Sequence, residues 1–471
     1  MKFTYFLLFL CLSFNTFSQS QDTIHKKHSK FKAFFSLNDT DTIRTRTSIS
    51  SEHFPDKKKN WDLNWGGLVS LDIFWDTRKP VESRDGGIYL YPADVFYDKN
   101  GNDIHARSSF NFVAMNTRLN LKIQAPEALG AKISGMVEGW FMGISNADMN
   151  GFALRHAFIK IDWKTTQLLM GQTWHPLFTE RMFAFTVAGS AGAPFQPFSR
   201  APQIRVTQKF VQNNYLLFYL NAQRDLMTTG IQGASTEYLR QSMMPEMGLQ
   251  YIFDTQKKDK DNNSTHLIYT GLGFNFKRIV PRLMTADTVL TKKGLNSYSG
   301  IAFFQYEHLI KKQLKAGFKL KAAFIQNSFD YLMMGGYAIK EYDASASLDF
   351  NKNYDYTNLN TLSFWGDIYL NYRSWEFGLF GGYCKNLGAF SAVQASANPR
   401  SYYARASNID FLYRLSARVK YTANKLQFCI EPEYTSAVYG TSLTSKGRVN
   451  NDTLTHWVHN LRVLVSTVLY F

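Results

Sequence analysis

THWVHNLRVLVSTVLYF, residues 455–471, changes chemistry at every second position. Trp457, His459, Leu461, Val463, Val465, Thr467, Leu469 and Phe471 share one parity, and Asn460, Arg462 and Ser466 share the other. Val458, Leu464, Val468 and Tyr470 are the exceptions. Successive side chains of a strand point to opposite faces, so this segment is a strand with one apolar face and one polar face. The terminal Phe471 is expected to act as the signal by which barrel assembly machinery recognises the chain.

The same period recurs upstream. Leu63, Trp65, Val69, Leu71, Ile73 and Trp75 oppose Asn64, Ser70, Asp72 and Asp76, while Val113, Met115, Leu119, Leu121 and Ile123 oppose Asn116, Arg118, Asn120, Lys122 and Gln124. About sixteen such segments follow from Trp61 onward, an even number that suits a closed bacterial barrel. They include 107–124, 130–146 and 151–163. Their connections alternate between long (77–106, 179–200, 328–356, 438–454) and short (125–129, 211–213, 373–374), as expected for external loops and periplasmic turns. Two strain the rule: 147–150 is short for a loop, and the charged 255–264 is long for a turn. A soluble sheet turns one face to water, whereas here one face of nearly every strand is apolar and the other suits a wet lumen. The fold class predicted is all-β: a transmembrane antiparallel up-and-down β-barrel of the cell outer membrane.

Outside the barrel, the apolar run Phe3–Phe17 follows Lys2 and precedes small residues around Ser18, so residues 1–18 read as a signal peptide. Residues 19–60 are polar, mixed in charge and aperiodic, which suggests a flexible periplasmic segment ahead of a barrel over 61–471. Cys11 would leave with the leader. Cys384 and Cys429 are expected to be small packed residues, not a disulfide pair.

The net charge of +16 would ordinarily raise nucleic acid as a partner, but export argues against it. Strand parity instead places twelve basic residues in the lumen: Arg118, Lys122, Lys132, Arg205, Lys209, Lys315, Lys319, Lys321, Arg414, Arg418, Lys420 and Arg462. Seven acids share that face: Asp72, Asp76, Glu138, Asp367, Glu376, Glu431 and Glu433. The basic excess favours anions, because a low-dielectric wall focuses the field of its fixed charges. FTERMFAFTVAGSAGAPFQPFSRAPQIR, residues 178–205, is small, Pro-broken and aromatic in its middle, which suits a loop folded into the channel. Arg181, Arg200 and Arg205 would then set the constriction; a rim cap or a subunit interface is the competing place for this loop.

The pore-lining and solute-contacting candidates are therefore Arg118, Lys122, Arg181, Arg200, Arg205, Lys209, Lys319, Arg414, Arg418 and Arg462. No nucleophile elbow, phosphate loop or metalloprotease helix motif occurs, so neither an enzyme nor a cofactor is expected. His456 and His459 stand three residues apart on a strand, hence on opposite faces, and no metal site is assigned to them. Asn-Gly at 100–101 is first a turn former. Passive diffusion of small hydrophilic solutes is the function expected, with a surface-binding or adhesive barrel of occluded lumen as the alternative. Its partners would be small anionic or neutral solutes and outer-membrane lipid.

FNFVAMNTRLNLKIQAPEALGAKISGMVEGWF, LRHAFIKIDWKTTQLLMGQTW and RAPQIRVTQKF, residues 110–141, 154–174 and 200–210, resemble the DcaP-like porins of Gram-negative bacteria. The resemblance covers mainly the first half of the chain. It implies a sixteen-stranded trimeric barrel that passes small, often negatively charged solutes such as carboxylates, with arginines at the constriction. The helical N-terminal segment associated with that family has no counterpart here, since residues 19–60 show no heptads.

Overall fold

The computed structural model describes residues 45–47 and 61–471, apart from 188, 259–263, 344–347 and 395–400. The expected signal peptide lies outside the described residues. So does the expected periplasmic segment except for Thr45–Thr47, which pairs antiparallel with Leu63–Trp65.

Sixteen antiparallel strands, counted among the described residues, close into a barrel. They are β1 (Asp62–Asp76), β2 (Ser109–Val113 continuing as Arg118–Ala128), β3 (Ala131–Trp140), β4 (Ala153–Asp162), β5 (Thr166–Trp174), β6 (Arg200–Val211), β7 (Asn214–Asn221) and β8 (Glu246–Lys258). The remainder are β9 (Ser264–Ile279), β10 (Leu295–Lys311), β11 (Leu314–Gln326), β12 (Tyr356–Tyr372), β13 (Trp375–Ala389), β14 (Ile409–Ala423), β15 (Leu426–Gly440) and β16 (Thr455–Tyr470). Closure comes from β16 against β1, in register from Leu68↔Tyr470 to Asp76↔Arg462. It ends on the reciprocal backbone pair Gly67 N to Phe471 O (3.2 Å) and Phe471 N to Gly67 O (3.1 Å). Closing the sheet pairs every edge, which a bilayer without water demands.

The closing strand has the parity expected. Trp457 and Leu469 are exposed on the outer face, whereas Asn460, Arg462 and Ser466 are buried within, and the exceptions Val458, Leu464 and Val468 are apolar side chains facing inward. In β2 the expectation fails at its start. Phe110 and Phe112 face outward, and Val113 and Met115, assigned above to the lipid face, are buried inside. Residues 114–117 form a turn, with Thr117 N donating to Ala114 O at 3.2 Å. Four residues there oppose three on β1, between Asp72↔Val113 and Leu68↔Arg118. One extra residue in a strand reverses which side chains face in.

The alternation of loops and turns holds, and both strained connections resolve. β3 ends at Trp140, so the connection expected at 147–150 is a loop over 141–152. β8 and β9 run to Lys258 and from Ser264, so 255–258 and 264 belong to strands, and 259–263 lie outside the described residues. Of the short turns, Leu129–Gly130 has φ of +55° and +68°, the left-handed pair that a two-residue hairpin needs to match strand twist. Cys384 and Cys429 are buried and unbonded to each other.

Candidate functional site

The interior of a barrel offers an inserted segment no strand to pair with, so its backbone groups need side-chain partners. Residues 175–199 enter the barrel and find them on the wall. Lys321 Nζ donates to the carbonyls of Leu177 (2.7 Å) and Phe178 (2.8 Å) and to Gln196 Oε1 (3.3 Å). Lys319 Nζ donates to Phe183 O (2.9 Å), and Lys420 Nζ to Phe185 O (2.7 Å). The carboxylates take the N–H groups: Phe185 N donates to Asp367 Oδ2 (2.9 Å) and Val187 N to Glu431 Oε2 (2.5 Å). Arg414 Nη1 donates to Ala193 O (3.1 Å). At the base of the loop, Phe178 stacks on Trp174 at 4.1 Å.

A second insertion was not legible from the sequence. Within the first long connection, Pro80–Ser83 and Ile88–Pro92 form a hairpin whose second arm is buried throughout. Arg414 Nη2 donates to Leu90 O (2.9 Å), Arg462 Nη1 to Gly86 O (2.9 Å), and the Tyr439 hydroxyl to Pro92 O (2.7 Å). The apolar run Ile88-Tyr89-Leu90-Tyr91 was the available signal, because a solvated external loop does not carry one.

Between these insertions and strands β2 to β6, four arginines converge on one indole. The guanidinium carbons of Arg200, Arg155, Arg84 and Arg118 stand 4.3, 4.5, 5.2 and 5.9 Å from the centre of the Trp140 ring. Arg200 and Arg155 also lie 4.8 and 5.7 Å from Trp174, so the rings share the cations through the negative face of their π-systems. Two carboxylates pair directly with three of the four cations, and Asp72 acts on the fourth, Arg118. Asp225 takes Arg84 (2.9 Å) and Arg200 (2.9 Å), and Glu138 lies 3.2 Å from Arg155. Arg84 Nη1, Arg118 Nε, Arg155 Nε and Arg200 Nη1 are buried with no hydrogen-bond partner among the described residues. Such donors are costly to leave unmade unless an anion or water meets them.

Arg155 escaped the parity argument for a local reason. The register of β3 against β4 shifts between Glu138 and Gly139, opposite His156 and Leu154, so Arg155 is an inserted residue and both Arg155 and His156 are buried inside. Arg84 belongs to the inserted hairpin and Asp225 to the connection after β7, neither of which strand parity reaches.

The remaining expected positions divide by task. Arg181 Nη1 binds the Asp254 carboxylate and lies 4.8 Å over Tyr269, which ties the inserted loop to β8. Arg418 grips Asp367 (2.6 and 3.3 Å) and Glu376 (2.9 Å), and Arg462 grips Asp76 (2.9 and 2.8 Å). Arg205, Lys209 and Lys122 are half-buried on the inward parity of their strands. His456 and His459 do face opposite ways: His456 meets Asp94 at 2.6 Å, and His459 meets the Tyr434 hydroxyl at 2.8 Å.

No protein-family model matches the chain, and no curated protein matches it by sequence. The fold is similar to that of the outer-membrane channel DcaP of Acinetobacter baumannii, at 15% identity, over 89% of this chain and 99% of that one, with a TM-score of 0.56. An anion-selective porin from Comamonas acidovorans aligns at 10% identity over 87% of this chain and all of that one, with a TM-score of 0.46. OmpT of Vibrio cholerae aligns at 8% over 87% and 98%, with a TM-score of 0.45. The fold implied by the DcaP-like segments is thus the fold found. A closed barrel with this outer surface belongs in the outer membrane.

Proposed function

We propose that this chain is a diffusion porin that passes small hydrophilic solutes and favours anions such as carboxylates. The observation that carries the reading is the Trp140 cluster, where four guanidinium groups outnumber the carboxylates around them within a wall of low dielectric. A transferred solute carboxylate would meet preorganised donors there. Arg118 and Arg200 are its proposed solute contacts, joined by Arg84 and Arg155. Lys122, Arg205 and Lys209 would add to the field along the wall. Lys319 and Arg414 act chiefly as loop holders, Arg181 as a tether of the loop, and Arg418 and Arg462 as ion-paired braces. A cleaved leader, recognition of Phe471 by the assembly machinery and a homotrimeric state belong to the same reading, which involves no catalysis.

Planar-bilayer recording of the refolded chain tests it. Discrete conductance steps with a reversal potential of anion-selective sign are expected, and a chain that folds but never conducts would overturn it. The second reading, a surface-binding barrel with an occluded lumen, draws on the apolar content of the insertions: Tyr89, Phe195 and Phe198 are wholly buried within the barrel. Persistent absence of conductance would favour that reading.

A further inference from the structure

The turn end of the barrel is not uniform in charge. The turns at 129–130 (Leu129, Gly130) and 212–213 (Gln212, Asn213) carry none, and that at 163–165 carries the single cation Lys164, two residues from Asp162. From β10 round to β15 each turn is basic: Lys311 and Lys312 before β11, Arg373 between β12 and β13, Lys425 between β14 and β15. No Asp or Glu stands in residues 308–315, 370–375 or 419–426. Backbone bonds tie these turns side by side, with Arg373 N donating to Gln313 O (3.1 Å) and Thr422 N to Ser374 O (2.8 Å), so the cations form one arc.

Two further features point outward from that arc. Tyr372, Trp375 and Tyr421 are exposed on the outer face just above the turns, Trp375 and Tyr421 in contact at 4.7 Å. Amphipathic rings so placed mark the depth of lipid headgroups. Arg373 also holds a left-handed backbone at φ +53°, as do Leu129, Asn213, Gln313 and Asn424 in the sister turns. Asn or Gly adopts that conformation at less cost. A long cation is kept there nonetheless, exposed, with its guanidinium 5.2 Å from the Tyr372 ring and directed to headgroup level.

We propose that this arc is a docking site for anionic phospholipid of the leaflet at the turn end, with Lys312 and Arg373 meeting the phosphate and Tyr372, Trp375 and Tyr421 the glycerol region. Lys425 lies beside the terminal strand, Tyr470 N donating to its carbonyl at 2.9 Å, and is therefore not the residue to test. The full chain, extracted from vesicles of mixed phosphatidylglycerol and phosphatidylcholine, is weighed intact by native mass spectrometry. Wild type is expected to retain phosphatidylglycerol at least threefold over phosphatidylcholine, and K312Q/R373Q to lose that preference while keeping its total lipid count. Raising the salt concentration should erode the wild-type preference in the same way, a measurement that needs no variant to fold. Equal retention of the two lipids by wild type, or a preference untouched by salt, overturns the proposal. So does a variant that changes the number of chains per particle and leaves its lipids unaltered, because a second copy of the chain would then cover the arc.

Discussion

Arg200→Gln isolates the charge of the Trp140 cluster. All four guanidinium carbons lie within 5.9 Å of one ring centre, so a small anion held among them, away from the negative face of the ring, is about 6 Å from a guanidinium of the cluster, an order-of-magnitude distance. The cluster carries more cations than carboxylates, and the substitution removes one positive charge. At an effective dielectric of about 40, between a protein surface and water, one unit charge at about 6 Å is worth ~1.4 kcal/mol. Screening in 0.1 M salt, with a Debye length near 10 Å, leaves roughly half of that. The anion's occupancy should fall about fourfold and a cation's rise by a similar factor, so the anion-to-cation permeability ratio drops by roughly tenfold. Reversal potential across a salt gradient on planar bilayers reads this directly. Arg155→Gln should act alike, and Arg205→Gln, outside the ring, should shift the potential less. Unchanged potentials in both cluster variants, with conductance retained, would refute the assignment of selectivity to Trp140 and its arginines.

Lys321→Met keeps the volume of the side chain but removes the donor shared by Leu177, Phe178 and Gln196. A loss of about 2–4 kcal/mol is expected, seen as a lower temperature for the heat-induced gel shift and as noisier open-channel current; a silent current would detach this lysine from the loop. At Gly67 a Cβ would stand 2.3 Å from Arg118 O and 2.7 Å from the Phe471 ring, so Gly67→Val should weaken the closing seam and lower the same transition temperature. No change in that temperature would show that the seam tolerates the crowding. Asp103 is half-buried: burial pushes its carboxyl up, but the N–H groups of Phe96 and His105 and the Arg78 guanidinium hold it below its ordinary 3.8. A depressed carboxyl stabilises its surroundings fully above its unfolded value and loses that effect as pH falls through the folded one. Amide exchange at Phe96 and His105 should therefore accelerate below about pH 3.8, and equal protection across that range would count against the arrangement. Cys384 and Cys429, buried and unbonded, should react with a thiol reagent only after unfolding, and a reduction-dependent gel shift would contradict this.

The barrel was legible in the sequence because its wall is periodic. Parity counted back from Phe471 set Arg462 inside and Leu469 outside correctly, and the Pro-broken, aromatic middle of residues 178–205 suited a loop folded into the channel without separating that place from a rim cap or a subunit interface. Parity failed where one strand carries an extra residue. The bend at 114–117 turned Val113 and Met115 inward, and the irregularity opposite Glu138 brought Arg155 into the site. The bend at 114–117 carries neither Gly nor Pro, and at the second irregularity Gly139 lies on the partner strand, so the inserted residue itself leaves no composition signal. The pairing of lumenal charges was equally hidden. Lys319, Arg414 and Arg418 were correctly placed inside, but whether an interior cation is open to solute depends on what folds against it, and the hairpin at residues 80–92 lies far from its partners along the chain.

The anchoring of the inserted loop by wall lysines also bears on how such a chain can change over generations. A substitution at Lys321 or Lys420 disturbs the order of the loop before it alters the preference of the passage, so selection for new solutes meets an immediate penalty there. The Trp140 arginines hold no loop carbonyl among the described residues and are freer to vary. Adaptive drift should accordingly concentrate on a few side chains of one quadrant, while the lysine-rich wall opposite stays fixed as scaffolding.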